Sequence, residues 1–76
     1  MNEDIKIYTT KFCKFCKLVQ EFFDKHGKKY SVIDITNSPA EQNYVKLRSG
    51  QFSVPVTIKG SKVVIGFAVS QLKELL

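Results

Sequence analysis

Apolar residues recur along this chain in two patterns, the alternation typical of a strand and the three-to-four spacing typical of a helix. The first stretch, residues 5–8, alternates, and the residues from Cys13 to about Lys25 carry apolar side chains at helical spacing. A second strand and a second helix follow, then two short strands joined by a Lys59-Gly60 turn, and a last helix. The predicted strands are 5–8, 30–35, 54–58 and 63–65, and the predicted helices are 13–25, 39–49 and 69–76.

The second helix has the clearest predicted boundaries. Ser38 and Glu41 have the spacing of a capping box, and Pro39 occupies the first helical position. Gly50 is predicted to end the helix, because glycine readily adopts the left-handed conformation that follows many helices. The buried side of this helix is predicted to consist of Tyr44, Val45 and Leu47.

The predicted order of elements is β-α-β-α-β-β-α. Because each of the first two helices lies between two strands, they favour right-handed crossovers and a parallel strand pair, closed by an antiparallel hairpin. We therefore expect an α/β protein with a four-stranded mixed sheet flanked by three helices. At 76 residues, the chain is expected to form a single domain over residues 1–76.

Composition narrows the classes of protein that fit this pattern. Lys and Arg number 12 against 7 Asp and Glu, for a formal net charge of +5. In a small chain such an excess is commonly a solvated face, and the lysines lack interleaved aromatics suited to base stacking, so we expect no nucleic-acid partner.

The chain begins with a polar segment unlike a signal peptide, and no apolar run approaches the ~20 residues of a membrane span. We expect a cytoplasmic monomer that binds no membrane.

Cys13 and Cys16 are the only cysteines, and they form a C-x-x-C pair at the predicted start of the first helix. This spacing places the two sulfurs one turn apart, close enough to form and to open a disulfide. The positive end of the helix favours the Cys13 thiolate, whereas Cys16 lies a turn deeper. We therefore predict that Cys13 attacks a disulfide and that Cys16 resolves the mixed disulfide. Half of a zinc or iron–sulfur site is the alternative, but such a site needs four ligands and the chain adds only His26.

Four features together resemble the glutaredoxin branch of the thioredoxin superfamily over essentially the whole chain. They are the strand, loop and C-x-x-C helix at the start, the Ser53-Val54-Pro55 triplet, the Lys59-Gly60 turn, and Ile65-Gly66-Phe67 before the last helix. The resemblance implies a thioredoxin fold and thiol–disulfide oxidoreductase activity. Within the branch, the chain most resembles short bacterial and archaeal glutaredoxin-like proteins and the small redoxins that supply electrons to ribonucleotide reductase.

The resemblance also implies roles for individual residues. Pro55 is expected to follow a cis peptide bond and to face the two sulfurs, and the backbone of Val54 is expected to pair with a bound substrate such as glutathione. Lys11 lies near the position of the family lysine that binds the glycyl carboxylate of glutathione, one residue closer to the motif. The predicted substrate-binding residues are Lys11, Phe15, Ser53, Val54, Pro55, Gly66 and Phe67.

Two departures from the family pattern affect the expected substrate. Lys14 stands where proline commonly follows the first cysteine, and its charge is expected to favour the thiolate and to attract anionic disulfides. Ala68 stands where the family has an acidic residue that caps the last helix and helps to hold the γ-glutamyl end of glutathione. Alanine accepts no hydrogen bond from the free N–H groups of a first turn, so we expect weaker glutathione binding.

The resulting prediction is an enzyme that reduces protein or glutathione mixed disulfides through Cys13 and Cys16, with no bound cofactor or metal. Glutathione is expected as reductant or substrate, and a flavin disulfide reductase is the other expected partner. One alternative is an electron-donor redoxin for ribonucleotide reductase, recycled by thioredoxin reductase. A second is an iron–sulfur cluster-binding protein in which Cys13 is a ligand, and a third is a basic interaction module in which the cysteines are incidental.

Overall fold

The computed structural model describes residues 4–11, 13–50 and 54–76. The predicted order of elements is confirmed. The strands are β1 (Ile5–Thr9), β2 (Tyr30–Asp34), β3 (Val56–Lys59) and β4 (Lys62–Ile65). The helices are α1 (Cys16–Lys25), α2 (Pro39–Ser49) and α3 (Val69–Leu72), and a 3₁₀ helix (Lys73–Leu75) continues the last of them.

The sheet has four strands in the order β2-β1-β3-β4. β1 runs parallel to β2, with Ile7 opposite Val32, and antiparallel to β3, with Ile7 opposite Thr57. β3 and β4 form the predicted antiparallel hairpin, which turns at Gly60 and Ser61. The mixed sheet with one parallel pair is therefore the predicted one, and the architecture is that of a thioredoxin-like α/β fold.

Alternate residues of β1 pack on opposite faces of the sheet, because successive side chains of a strand point in opposite directions. Ile7 belongs to the core beneath α1 and α3, and Tyr8 belongs to the core beneath α2. The first core consists of Ile5, Ile7, Val19, Phe23, Val64, Leu72 and Leu75. The second core consists of Tyr8, Ile35, Val45, Val56 and Ile58. β1 is thus held on both faces, and the loop that follows it leads to Cys13.

Helix α1 begins at Cys16 and not at Cys13 as predicted. The apolar residues that hold this helix on the sheet, Val19 and Phe23, lie about one and two turns into it. Its first backbone bond joins the Val19 N–H to the Phe15 carbonyl at 3.1 Å, and Phe15, the N-cap residue, makes no side-chain capping bond. Cys13 therefore lies in the loop before the helix and not in its first turn.

Helix α2 has the predicted ends but not the predicted cap. Pro39 is its first residue, and Gly50 follows it in the left-handed conformation, with φ of +79°. The Ser38 side chain makes no capping bond. In a capping box the N–H of Ser38 would bond the Glu41 side chain, but here it is donated to the Ile35 carbonyl at 3.2 Å. The capping box is absent because its backbone donor is already in use.

The predicted buried side of α2 is wrong for two of its three residues. Val45 is fully buried, but Tyr44 is 39% exposed and Leu47 is 83% exposed. Successive helical residues are about 100° apart, so Leu47 lies about 200° around the helix from Val45 and faces solvent. Tyr44 stays beside the sheet through a ring contact with Tyr8, at 5.9 Å between centroids.

Each strand and the last helix also differ from the prediction at one end or both, and two of these differences have a clear physical cause. β3 begins at Val56, because Pro55 has no N–H group to donate to the strand ladder. The last helix is α-helical only over Val69–Leu72 and then tightens into the 3₁₀ helix. Lysine ammonium groups of the β3–β4 hairpin bond the last carbonyls, with Lys59 Nζ donating to Leu75 at 2.7 Å and Lys62 Nζ to Glu74 at 3.3 Å.

Thr57, in the middle of β3, is a polar residue with no solvent exposure. Its hydroxyl oxygen has no hydrogen-bond partner among the described residues. It lies between Ile7 and Val64 of the neighbouring strands, on the face covered by α1 and α3. A buried hydroxyl without a partner keeps the cost of its lost hydration, so Thr57 destabilises the native state relative to an apolar residue of the same shape.

Candidate active site

Cys13 and Cys16 form a disulfide, with 5.5 Å between their Cα atoms. Cys16 is the first residue of α1 and is 5% exposed, whereas Cys13 lies in the preceding loop and is half-buried. Packing around α1 therefore shields the second cysteine more than the first. An attacking thiol must meet the substrate, so this difference in access agrees with the roles predicted for the two residues.

The loop before Cys13 is bonded to the loop that follows β2. The backbone N–H of Lys11 donates to Oγ1 of Thr36 at 3.1 Å, and the N–H of Thr36 donates to Oδ1 of Asp34 at 2.8 Å. Hydrogen bonds from the Thr36 hydroxyl and N–H lower the pKa of Asp34, and the positive charge of Lys11 lowers it further. Lys11 is exposed, as a substrate-binding lysine must be, but it already has an anionic neighbour.

Helix α2 supports the same loop. Nε2 of Gln42 donates to the Ile35 carbonyl at 2.7 Å and to the Thr36 carbonyl at 3.1 Å. Sequence reasoning missed Asp34, Thr36 and Gln42. An Asp followed two residues later by Thr, directly after a strand, is a turn pattern that could have revealed the first two. Nothing in the local sequence marks Gln42 as their partner.

A cis peptide bond joins Val54 to Pro55, as the family resemblance implied. Pro55 is buried, and its carbonyl accepts a 2.8 Å hydrogen bond from the N–H of Gly66. Gly66 has φ of +72°, a conformation that glycine adopts without the steric penalty of a side chain. The structure thus brings together two of the predicted substrate-binding residues, Pro55 and Gly66. Val54 is half-buried, and the pairing of its backbone with a substrate stays a prediction.

The two predicted substrate-binding aromatics are exposed. Phe15, between the two cysteines, is 52% exposed, and Phe67, directly after Gly66, is 37% exposed. Phe15 adjoins both cysteines in the sequence, where an exposed apolar side chain suits contact with a substrate, and the predicted role of Phe67 stays a prediction. Ser53 lies outside the described residues, so its predicted role stays a prediction.

Within residues 4–11, 13–50 and 54–76, no group of three or more His, Cys, Asp and Glu side chains is placed to hold a metal ion. In that same part of the chain, no helix combines the length and the apolar character that crossing a membrane requires.

The glutaredoxin family model matches residues 5–64, which include both cysteines and Pro55. The chain belongs to the glutaredoxin family. It is 33% identical to the Gene 56 protein of Mycobacterium phage D29, over 100% of this chain and 86% of that protein. The crystal structure of the glutaredoxin grx-1 from Archaeoglobus fulgidus has a TM-score of 0.83 and 35% identity, and the match covers 96% of this chain and 85% of that one. The crystal structure of the thioredoxin-like protein BC3987 has a TM-score of 0.84 and 29% identity, covering 96% and 100%.

In this glutaredoxin-family protein, Ala68 is the N-cap residue of α3 and makes no side-chain capping bond. The Ala68 carbonyl accepts the N–H groups of Gln71 and Leu72, at 3.0 and 2.9 Å. Ser70 lies inside the helix, as its second residue, and is not the cap. The placement of Ala68 at the start of the last helix is therefore confirmed, while the weaker glutathione binding expected from it stays a prediction.

Proposed function

We propose that this member of the glutaredoxin family is a thiol–disulfide oxidoreductase that uses Cys13 as the attacking thiol and Cys16 as the resolving thiol. The observation that carries the proposal is the unequal access to two cysteines joined in one disulfide, with Cys13 half-buried and Cys16 5% exposed. A bulky substrate disulfide meets the outer sulfur first. The inner sulfur reacts with Cys13 alone, because α1 holds it beside that residue.

The proposed reaction has two exchange steps. The Cys13 thiolate attacks one sulfur of the substrate disulfide, forms a mixed disulfide and releases the other substrate sulfur as a thiolate, which takes a proton from solvent. Cys16 then loses its proton, and its thiolate attacks the Cys13 sulfur, so the protein disulfide forms and the second substrate thiolate leaves. Two electrons pass from the protein dithiol to the substrate. Because the sulfurs carry these electrons, the proposed enzyme needs no bound cofactor. We also propose that it is monomeric and cytoplasmic.

The reductant that restores the dithiol is the finer part of the proposal. Glutathione and a flavin disulfide reductase are the two candidates. Ala68 supplies no acceptor for the ammonium group of glutathione at the start of α3. This observation favours the second candidate, in which the protein is an electron-donor redoxin recycled by a thioredoxin-reductase-like flavoenzyme.

The decisive experiment supplies the oxidised protein with NADPH and one of two reducing systems, while a protein disulfide serves as the final acceptor. One system is glutathione with glutathione reductase, and the other is thioredoxin reductase alone. We expect NADPH oxidation with both systems and faster turnover with thioredoxin reductase. Faster turnover with glutathione would contradict the redoxin role but not the oxidoreductase activity.

Two cysteine variants test the roles of the thiols. Cys16→Ser is expected to accumulate a Cys13 mixed disulfide, detected by intact mass, because the resolving thiol is absent. Cys13→Ser is expected to be inactive with both reducing systems. Activity that survives in Cys13→Ser would overturn the assignment, and an absorption band in anaerobically purified protein would instead favour a cluster-binding role.

A further inference from the structure

Two exposed lysines lie within and directly after the C-x-x-C segment. Lys14 follows Cys13 directly, Lys17 follows Cys16, and both side chains are exposed. Among the described residues, neither lysine has a hydrogen-bond or ion-pair partner. Two positive charges that form no ion pair with a described residue therefore lie within and directly after the C-x-x-C segment.

Lys11 differs from these two lysines. Its charge lies close enough to Asp34 to lower the pKa of that carboxyl, and its backbone is bonded to Thr36. An approaching anion meets Lys11 together with the Asp34 carboxylate, which opposes the attraction. Lys14 has no acidic residue within four positions in the sequence, and Lys17 forms no ion pair with Glu21, which lies one helical turn away, so both charges remain available to an approaching anion.

An exposed aromatic side chain lies between the two lysines in the sequence. Phe15 is 52% exposed and is the N-cap residue of α1. We call Lys14, Phe15 and Lys17 the basic rim. The combination of two ammonium groups and one apolar ring beside a reactive sulfur is suited to a polypeptide that carries acidic residues next to its disulfide.

We propose that the basic rim binds acidic residues of a polypeptide substrate that flank the disulfide to be reduced. The inference rests on the proposed oxidoreductase function and adds the substrate class. Attraction between exposed charges speeds encounter and orients the partner, and salt weakens it because the Debye length is only about 8 Å at physiological ionic strength.

The experiment compares three synthetic peptides with the same disulfide, flanked by Asp, Ser or Lys residues. The second-order rate constant for reduction by the dithiol protein is measured at several NaCl concentrations. At low salt we expect the Asp peptide to react about fivefold faster than the Ser peptide, since two exposed ion pairs supply a modest free energy. The Lys peptide is expected to react more slowly than both, and the differences are expected to shrink as salt rises.

The double variant Lys14→Glu/Lys17→Glu is expected to reverse the order of the Asp and Lys peptides. The matched control is Lys28→Glu/Lys29→Glu, which makes the same change in net charge at two exposed positions beyond the far end of α1. The control is expected to keep the wild-type order. Each result is expressed as a ratio to the rate with the Ser peptide, so an altered Cys13 pKa, which affects all three peptides, cancels.

Equal rates for the three peptides with the wild-type protein would overturn the inference. A control variant that reverses the order as fully as the rim variant would also overturn it, because the effect would then come from net charge and not from the rim. Reduction of hydroxyethyl disulfide, which is uncharged, separates the two levels of the argument. If that compound is reduced while the peptides show no preference, the oxidoreductase function stands and only the substrate class fails.

Discussion

The substitution Ala68→Asp tests the unusual start of the last helix. Ala68 is the N-cap residue of α3, and Ser70, the second helical residue, has an N–H group with no acceptor within the helix. An Asp side chain at the cap position accepts a hydrogen bond from such a group. Ala68 is half-buried beside the first core, and Asp keeps its Cβ, so the contact made by the methyl group is retained.

The expected gain is about 1 kcal/mol in the free energy of unfolding, the usual difference between Asp and Ala at a helix N-cap. For a domain of this length, that corresponds to a rise in the melting temperature of roughly 4–8 °C. The added carboxylate also supplies an acceptor for the ammonium group of glutathione. We therefore expect a lower KM for glutathionylated substrates together with the higher melting temperature.

Thermal unfolding followed by circular dichroism measures the first effect, and steady-state kinetics with a glutathionylated peptide measures the second. Ala68→Ser is the matched control, because serine caps the helix without adding charge. It is expected to raise the melting temperature and to leave the KM unchanged. A stable Ala68→Asp variant whose KM equals that of Ala68→Ser would show that the carboxylate does not contact glutathione. No change in melting temperature in either variant would refute the capping argument.

Three further predictions follow from the packing and the turns. Thr57→Val is expected to increase the free energy of unfolding by about 1 kcal/mol, measured with urea, because it removes a buried hydroxyl without a partner; a destabilised variant would contradict this. Gly66→Ala is expected to decrease it by roughly 1–2 kcal/mol, because alanine is strained at φ of +72°; apart from its chain neighbours no atom lies within 4 Å of the added Cβ, so a steric clash adds nothing to this cost. The lowered pKa of Asp34 contributes stability that is present above its unfolded pKa of about 4 and is lost as the pH falls through the folded pKa. Thr36→Val is therefore expected to have a lower free energy of unfolding than the wild type at neutral pH, and the difference between the two proteins is expected to shrink below about pH 4. A difference that does not change with pH would show that Thr36 acts on stability without Asp34.

The local pattern of residues was sufficient where each element depends on its own side chains. The alternation of residues 5–8 predicted β1, and Gly50 ends α2 because the left-handed conformation there suits glycine. The place of Ala68 at the start of α3, by contrast, followed from the resemblance to the glutaredoxin pattern. The capping box of α2 failed for a reason that lies outside the helix, since Ile35 accepts the N–H of Ser38 that the box requires.

By itself, the sequence determined the order of strands and helices, the α/β class, and the pairing of Cys13 with Cys16, because these depend on periodicity and on short spacings along the chain. Only the tertiary structure decided that Cys13 stands outside α1, since the helix begins where its apolar residues settle on the sheet. The same holds for the bond between Lys11 and Thr36, which lie 25 residues apart, and for the bond between Pro55 and Gly66. Such contacts form because the sheet brings distant loops to one edge, and no local pattern records which donor will meet which acceptor there.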